Sequence, residues 1–372
     1  MTGQQRAIDP PRTRRLHCGA AVMVLIAAGS MLLMNCGGGS TSTPPPPPPP
    51  PPSQTLGLAI NPRSVPPPTP QDFEDAVNLA IDAGVKAVAL TYTWSSLEPT
   101  ANNIDLSQLR NGITYFNSKN LQIYVGLQVI NTVKREVPPD LANTAFDSPQ
   151  IKSRFHALLD QVLPLLGSNA KYISIGNEVD GFLAQTGEWS TYRSFYEDAL
   201  DYIHQKKPGM LVGVTSTFIG AKNGNLANVQ ALNTRSDVFI FTYYPLHGDF
   251  QVDAPTSPAT DFPLMLSWTG GKPLVLQEVG YPSDPLTGSS ADKESQFVTS
   301  AFAAWRAGGD RIPFFDYFIE HDFDPATCAQ LGQYYGIPND PAFIAYLCSL
   351  GLRADDGSAK PAWSSFVAAA GH

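Results

Sequence analysis

From residue 55 onward, short runs rich in valine, isoleucine and threonine alternate with stretches whose apolar residues recur every three or four positions, and this pairing repeats eight times. The runs predict strands at 56–61, 86–94, 122–130, 172–177, 211–217, 238–245, 274–281 and 312–319. The intervening stretches predict helices, such as 69–83, where Phe73, Val77, Ala80 and Ile81 share a face, and 192–205, where Phe195, Ala199 and Ile203 do. Strand and helix in strict alternation is the pattern of parallel βαβ units, and eight of them predict an α/β fold closed into a single (β/α)8 TIM barrel. An open doubly wound sheet is the rival architecture, but no Gly-rich phosphate turn opens any of the helices.

A barrel carries its chemistry at the C-terminal ends of its strands, so charged residues there read as functional and strand interiors as packing. Three strand ends stand out. The fourth closes on Ile175-Gly176-Asn177-Glu178, the sixth on Thr242-Tyr243-Tyr244-Pro245 and the seventh on Leu276-Gln277-Glu278. Two carboxylates over one barrel mouth suit acetal cleavage, in which one protonated carboxyl serves the leaving oxygen and one ionised carboxylate meets the oxocarbenium-like centre. Taken singly, a glutamate at a strand end is more often a solvated or ion-paired residue; the two together at strands four and seven are what point to catalysis.

With these residues in view, the chain resembles the retaining glycoside hydrolases of the large (β/α)8 clan that includes cellulases, mannanases, galactanases and β-1,3-glucanases. Asn177-Glu178 and Glu278 carry the resemblance, together with Trp94-Ser95-Ser96-Leu97-Glu98-Pro99 after the second strand and the closing segment Gly351-Leu352, Asp356-Gly357 and Lys360-Pro361-Ala362-Trp363. It covers most of residues 55–372 and implies a catalytic domain there. It further implies Glu178 as acid/base, Glu278 as nucleophile, Asn177 as partner of a sugar 2-hydroxyl, and Tyr244 or Tyr243 as the phenol that steadies the nucleophile. Carboxyl groups about 5 to 5.5 Å apart would go with retention of configuration, and ~6.5 to 9.5 Å with inversion. Glu178 is the carboxyl expected to have the raised pKa. Trp94, Tyr281 and Tyr317, with Trp189 and Trp268, are candidates for stacking on sugar rings, with barrel packing as the alternative for each. Asp180, Asp316, His321 and Asp322 are candidates for the cleft or its rim. The sequence departs from the clan at strand three, where Gln128 and Asn131 replace a histidine, and at strand eight, where Phe314-Phe315-Asp316-Tyr317-Phe318 holds no tryptophan.

The N-terminus changes the picture of where such a domain would work. Arg12, Arg14 and Arg15 precede an apolar stretch over 19–34, too short for a comfortable membrane span, and the sequence Leu33-Met34-Asn35-Cys36-Gly37 resembles a bacterial lipobox. The expectation is a lipoprotein signal peptide over 1–35, lipid attachment at Cys36 and export to the cell envelope, with ordinary secretion as the alternative. Residues 36–54, a Gly/Ser segment followed by nine prolines, read as a tether, flexible and then stiff. Without residues 1–35 the chain carries 20 Lys and Arg against 32 Asp and Glu, a net charge of −12, which argues weakly against nucleic acid or a polyanionic substrate.

Cys328 and Cys348 are the cysteines left to pair, and an oxidising location predicts a disulfide between them. The histidines form no H-E-x-x-H and the cysteine spacing fits no zinc pattern, so no metal and no cofactor are expected. The expected partners are a β-linked poly- or oligosaccharide and, through the anchor, a membrane; the expected state is a monomer. The competing function is a surface lipoprotein of the same fold that holds glycans without cleaving them, and a third reading makes the stalk the main feature.

Overall fold

The computed structural model describes residues 54–338 and 340–371. The expected signal peptide, the Cys36 attachment and the tether up to residue 53 lie outside the described residues. Eight strand positions form the barrel: β1 Thr55–Leu58, β2 Ala87–Thr93, β3 Gln122–Asn131, β4 Ala170–Asn177, β5 in two segments Leu211–Gly213 and Thr215–Thr217, β6 Phe239–Tyr243, β7 Leu274–Val279 and β8 Phe314–Tyr317. All are paired in parallel, and the ladder runs from the first half of β5 through β4, β3, β2, β1, β8, β7 and β6 to the second half of β5. The break at Val214 leaves the parallel ring nearly closed, as the eightfold pattern predicts. A two-residue return strand, Lys134–Arg135, folds back on the end of β3.

Eight helices pack outside: α1 Pro70–Asp82, α2 Ser107–Ser118, α3 Pro149–Val162, α4 Trp189–Lys206, α5 Leu226–Leu232, α6 Pro258–Trp268, α7 Ala291–Gly308 and α8 Pro361–Ala370. The start of α1 shows how sequence sets a boundary. Thr69 accepts from the Asp72 amide while the Asp72 carboxylate accepts from the Thr69 amide, and Pro70 occupies a position whose N–H has no helical partner. Phe73, Ala76, Val77 and Ala80 of α1 are buried, and Ile81 is half-buried.

Strand alternation separates the two sides of the barrel wall. One set, including Ala87, Tyr124, Tyr172, Ile240, Val275 and Phe314, fills the lumen. The other, including Phe239, Phe241, Tyr243, Leu274, Leu276 and Phe315, faces the helices. Between β8 and α8 lies a helical insertion that the periodicity does not reveal. Its helices, Pro325–Tyr335 and Pro341–Cys348, are joined by the expected disulfide Cys328–Cys348, with Cα atoms 6.0 Å apart. They share a separate small core with Leu246, Ile319, Phe323 and Leu350. The chain returns from the insertion through Gly351, where a Cβ would lie 2.2 Å from the Asp322 amide nitrogen, so only glycine fits. Among the described residues, no helix is long and apolar enough to cross a membrane.

Candidate active site

Both glutamates reach the barrel mouth through departures from regular strand geometry. In β4, Tyr172 and Ser174 face the lumen, and regular alternation ends at Gly176, which has φ +93°. A Cβ on Gly176 would lie 2.4 Å from the Tyr192 hydroxyl, and that hydroxyl donates to the Ile175 carbonyl at 2.8 Å. Glu178 follows in the left-handed region, at φ +47°, and begins the short helix Val179–Thr186. In β7 the pairing with β6 passes from Phe241↔Leu276 to Thr242↔Glu278, so Gln277 is an extra residue. Such a bulge re-aims the following side chain, and here Gln277 and Glu278 both serve the mouth. Thr132, on the loop after β3, is a third strained position at φ +52°, a conformation that a β-branched residue adopts rarely.

The two carboxylates have different partners. Glu178 accepts from the hydroxyls of Thr132 at 2.6 Å and Thr242 at 2.7 Å. A hydroxyl rotates to donate or accept, so this pair of partners serves Glu178 in either protonation state. Glu278 accepts from the Tyr244 hydroxyl at 2.8 Å and the Gln277 amide at 3.1 Å. The amide only donates, which favours an ionised Glu278. Burial, and next the charge of Glu178, work against that and push the Glu278 pKa up to about 7. The sequence placed a raised value at Glu178; the structure shows one at Glu278. Glu278 lies beside the lumen residues Tyr124 and Asp316.

A directed series of hydrogen bonds fixes the residues around this pair. The Gln277 carbonyl oxygen accepts from the Tyr124 and Thr215 hydroxyls, both at 2.5 Å. Its nitrogen donates to Glu278 and, at 2.8 Å, to the Asn177 carbonyl. Asn177 in turn donates to Asn131 at 3.1 Å, and Asn131 donates to the Tyr334 hydroxyl at 3.0 Å. Every amide in the series thus has its oxygen accepting and its nitrogen donating. Asn177 keeps one N–H and one lone pair free for a bound molecule.

The other residues singled out by sequence divide sharply. Tyr244 touches Glu278; Tyr243 does not. By strand alternation Tyr243 faces the helices, where its hydroxyl donates to Asp261 at 2.8 Å and its ring packs on Phe218, Phe262 and Phe297. Tyr317 is likewise turned outward against Phe366 and fully buried. Tyr281 is buried, stacks on Phe297 and donates to the Asp253 carbonyl. Trp94 is buried against Phe155 and Phe195, donating to Glu98, which also receives the Asn102 amide and pairs with Arg154. Trp94, Tyr243, Tyr281 and Tyr317 are packing residues, and none has a face free for a sugar. Trp268 stacks on Phe218 in the same outer layer.

Asp180 holds the Thr217 amide and hydroxyl, and burial pushes its pKa up to about 6. Asp322 pairs with Lys360 at 2.8 Å, and His321 is buried against Asn61 and Arg353. Asp316 lies in the lumen rather than on a rim, and burial holds its pKa far above the carboxylate range. What the strand-end reading missed is Thr132, Thr242 and Gln277, and an aromatic cover from the insertion. Tyr335 and Tyr346 stand close enough to both carboxylates for those charges to raise their phenol pKa values, after the larger effect of burial. Tyr346 meets Tyr244 edge to face at 5.7 Å.

Replacing each neighbouring tyrosine separates these roles. Tyr244→Phe removes a donor to the Glu278 carboxylate, so kcat should fall roughly 10- to 100-fold and the pH profile should move to higher pH. Tyr243→Phe should leave kcat and the profile in place and lower the melting temperature, because Asp261 loses a hydrogen-bond donor. Steady-state kinetics across pH with melting curves decide both.

No protein-family model matches the chain, and no curated protein does. Its fold is similar to that of GH5_18 from Streptomyces cattleya in complex with GlcNAc, at 18% identity over 85% of this chain and 79% of that one, TM-score 0.65. It is similar also to a GH5_18 from Bifidobacterium longum subsp. infantis (16% identity, 86% and 78% covered, TM-score 0.65). A third neighbour is the exo-beta-1,4-mannosidase Op5Man5 from Opitutaceae bacterium strain TAV5 (17% identity, 85% and 59% covered, TM-score 0.62). The shared feature at such identities is the fold: this chain is a single nearly closed parallel (β/α)8 barrel, and its structural neighbours are glycoside hydrolases.

Proposed function

We propose that this protein is a retaining glycoside hydrolase that cleaves a β-linked oligo- or polysaccharide by double displacement, with Glu178 as acid/base and Glu278 as nucleophile. The observation that carries the reading is the unequal support of two carboxyls brought to one mouth: reversible hydroxyl partners on Glu178, and Tyr244 with a donor-only amide on Glu278. In the first half-reaction Glu278 attacks the anomeric carbon while Glu178 protonates the departing oxygen. Once Glu278 is esterified its charge is gone, so Glu178 is free to ionise and take a proton from water. The free N–H of Asn177 is placed to meet a sugar hydroxyl. A protein that only held glycans would have no use for two half-buried, mutually repelling carboxyls, which disfavours the binding-only reading.

The neighbours' names guide the first substrates. One is an exo-beta-1,4-mannosidase, and a variant of the Streptomyces cattleya protein holds Manb1-4GlcNAc, so β-mannosides head a panel with β-glucans, galactans and xylans. Turnover of at least one member, with the β-anomer as first product, supports the proposal; an α-anomer first product rejects retention.

The location is part of the same proposal: export, lipid attachment at Cys36, and a tether that holds the barrel off the membrane. Stable anchoring takes more than one acyl chain, as bacterial lipoprotein modification supplies. Cys36→Ala should move the protein from the membrane fraction to the soluble one. A wild-type protein found wholly soluble, with an N-terminus other than Cys36, would reject the anchor.

A further inference from the structure

We propose that the disulfide-stapled insertion Pro325–Cys348 is a positioning element for the catalytic pair, and that Tyr334 is its latch. This rests on the glycosidase reading above for its kinetic consequence, though not for its geometry. The Tyr334 hydroxyl is inserted between two groups near the end of β3: it donates to a Glu136 carboxylate oxygen at 2.8 Å and accepts from the Asn131 amide at 3.0 Å. The other Glu136 oxygen accepts from Ser95 at 2.7 Å, and the Glu136 carbonyl accepts from the Ser95 amide at 3.0 Å. Glu136 therefore ties the loop after β2 to the insertion.

The latch sets a direction. Because the Tyr334 hydroxyl has spent its proton on Glu136, it meets Asn131 as an acceptor, which turns the Asn131 nitrogen outward and its oxygen toward Asn177. The Asn177 oxygen is then left for Gln277, whose nitrogen also reaches Glu278. The proton placed by Glu136 thus orients Asn131 and Asn177, and together with the Tyr124 and Thr215 hydroxyls it holds the Gln277 nitrogen toward Glu278. At the other end of the insertion, Tyr346 packs edge to face on Tyr244, the second donor to Glu278. The insertion reaches both supports of the same carboxylate. Its two helices are held together by the disulfide and by the contact of Tyr335 with Phe343, 5.5 Å between ring centroids.

The test is Tyr334→Phe in the full chain. The variant keeps the ring under Lys134, 3.9 Å from the centroid, and its edge-to-face contact with Tyr335, so only the hydroxyl is lost. Glu136→Gln attacks the latch from the other side and guards against a folding defect peculiar to one variant. Three readouts are taken on wild type and both variants: melting temperature, the pH dependence of kcat/KM on 4-nitrophenyl β-D-mannopyranoside or whichever aryl glycoside the panel selects, and the carboxyl titration of the Glu178–Glu278 pair by NMR of 13C-labelled glutamate.

The expected result is a roughly tenfold loss of kcat/KM, carried by kcat more than KM, with both the kinetic profile and the titration displaced to higher pH, since the Gln277 donor to Glu278 is less firmly held. A variant that melts lower but keeps the wild-type titration and profile would show a merely structural tyrosine and overturn the proposal. Unchanged readouts throughout would overturn it too. If the wild type turns over no glycoside, the functional reading has failed, and the titration alone decides the positioning role.

Discussion

Glu278→Gln is expected to reduce kcat/KM by on the order of 10^4- to 10^6-fold, the range seen when a covalent nucleophile is removed, while oligosaccharide binding persists. Glutamine keeps the volume of the side chain and one oxygen to accept from Tyr244, so the barrel mouth should hold its shape. The same variant should be more stable than wild type under alkaline conditions. Burial and the neighbouring charge raise the folded-state pKa of Glu278 from 4.5 to about 7. Folding therefore gains nothing from its ionisation: below about 4.5 the group has no cost, the cost grows as pH rises through 7, and above that it is complete, at most roughly 3 kcal/mol. Glutamine never ionises. The melting temperature of the variant should exceed that of wild type at about pH 8 and converge with it near pH 4. Near-normal turnover, or a stability difference that grows toward acid, would reject the assignment.

Glu178→Ala should show the signature of a lost acid/base rather than of a lost nucleophile. Toward a glycoside with a poor leaving group the rate should fall on the order of 10^2- to 10^4-fold, the usual worth of general acid catalysis. A 2,4-dinitrophenyl glycoside needs no proton to depart, so its glycosylation step should be far less affected and the deglycosylation step should become limiting. Azide, which attacks without a general base, should then restore turnover and give the β-glycosyl azide. Equal losses for good and poor leaving groups, with no rescue, would show that Glu178 is not the acid/base. Glu278→Gln should not respond to azide in this way, so the pair of variants separates the two roles.

Much of this site is legible in sequence because the barrel converts strand position into spatial position. Glu178 and Glu278 close the fourth and seventh strands, and eight regular βα units bring those ends to one mouth. The choice between Tyr243 and Tyr244 was also within reach. Ile240 and Thr242 face inward with Tyr244, while Phe239 and Phe241 face outward with Tyr243, and a period of two carried through the strand decides it. The same count turns Tyr317 outward with Phe315.

Less legible were the irregularities. Strict alternation from inward Val275 and Gln277 would send Glu278 to the helices, and only the bulge at Gln277 returns it to the mouth. One extra residue in a strand of six leaves no mark on hydrophobic periodicity. Gly176 hinted at the turn before Glu178, since glycine tolerates the left-handed backbone found there. Trp94 and Tyr281 were ambiguous because an aromatic ring that packs and one that stacks on sugar have the same composition signature. Tyr334, Tyr335 and Tyr346 lay out of reach altogether, because the insertion that carries them follows no barrel repeat and its contacts with the end of β3 span about 200 positions.

The most direct measurement traps the covalent intermediate. A 2-deoxy-2-fluoro β-glycosyl fluoride of the sugar that the panel selects slows both steps but deglycosylation more, so a glycosyl-enzyme accumulates. Intact mass followed by peptide mapping then finds the modified residue. The account predicts one fluoroglycosyl group per chain, attached to Glu278, formed more slowly in Tyr244→Phe and absent from Glu278→Gln. A label on Glu178, or hydrolysis of the natural glycoside to the α-anomer with no label at all, would contradict it.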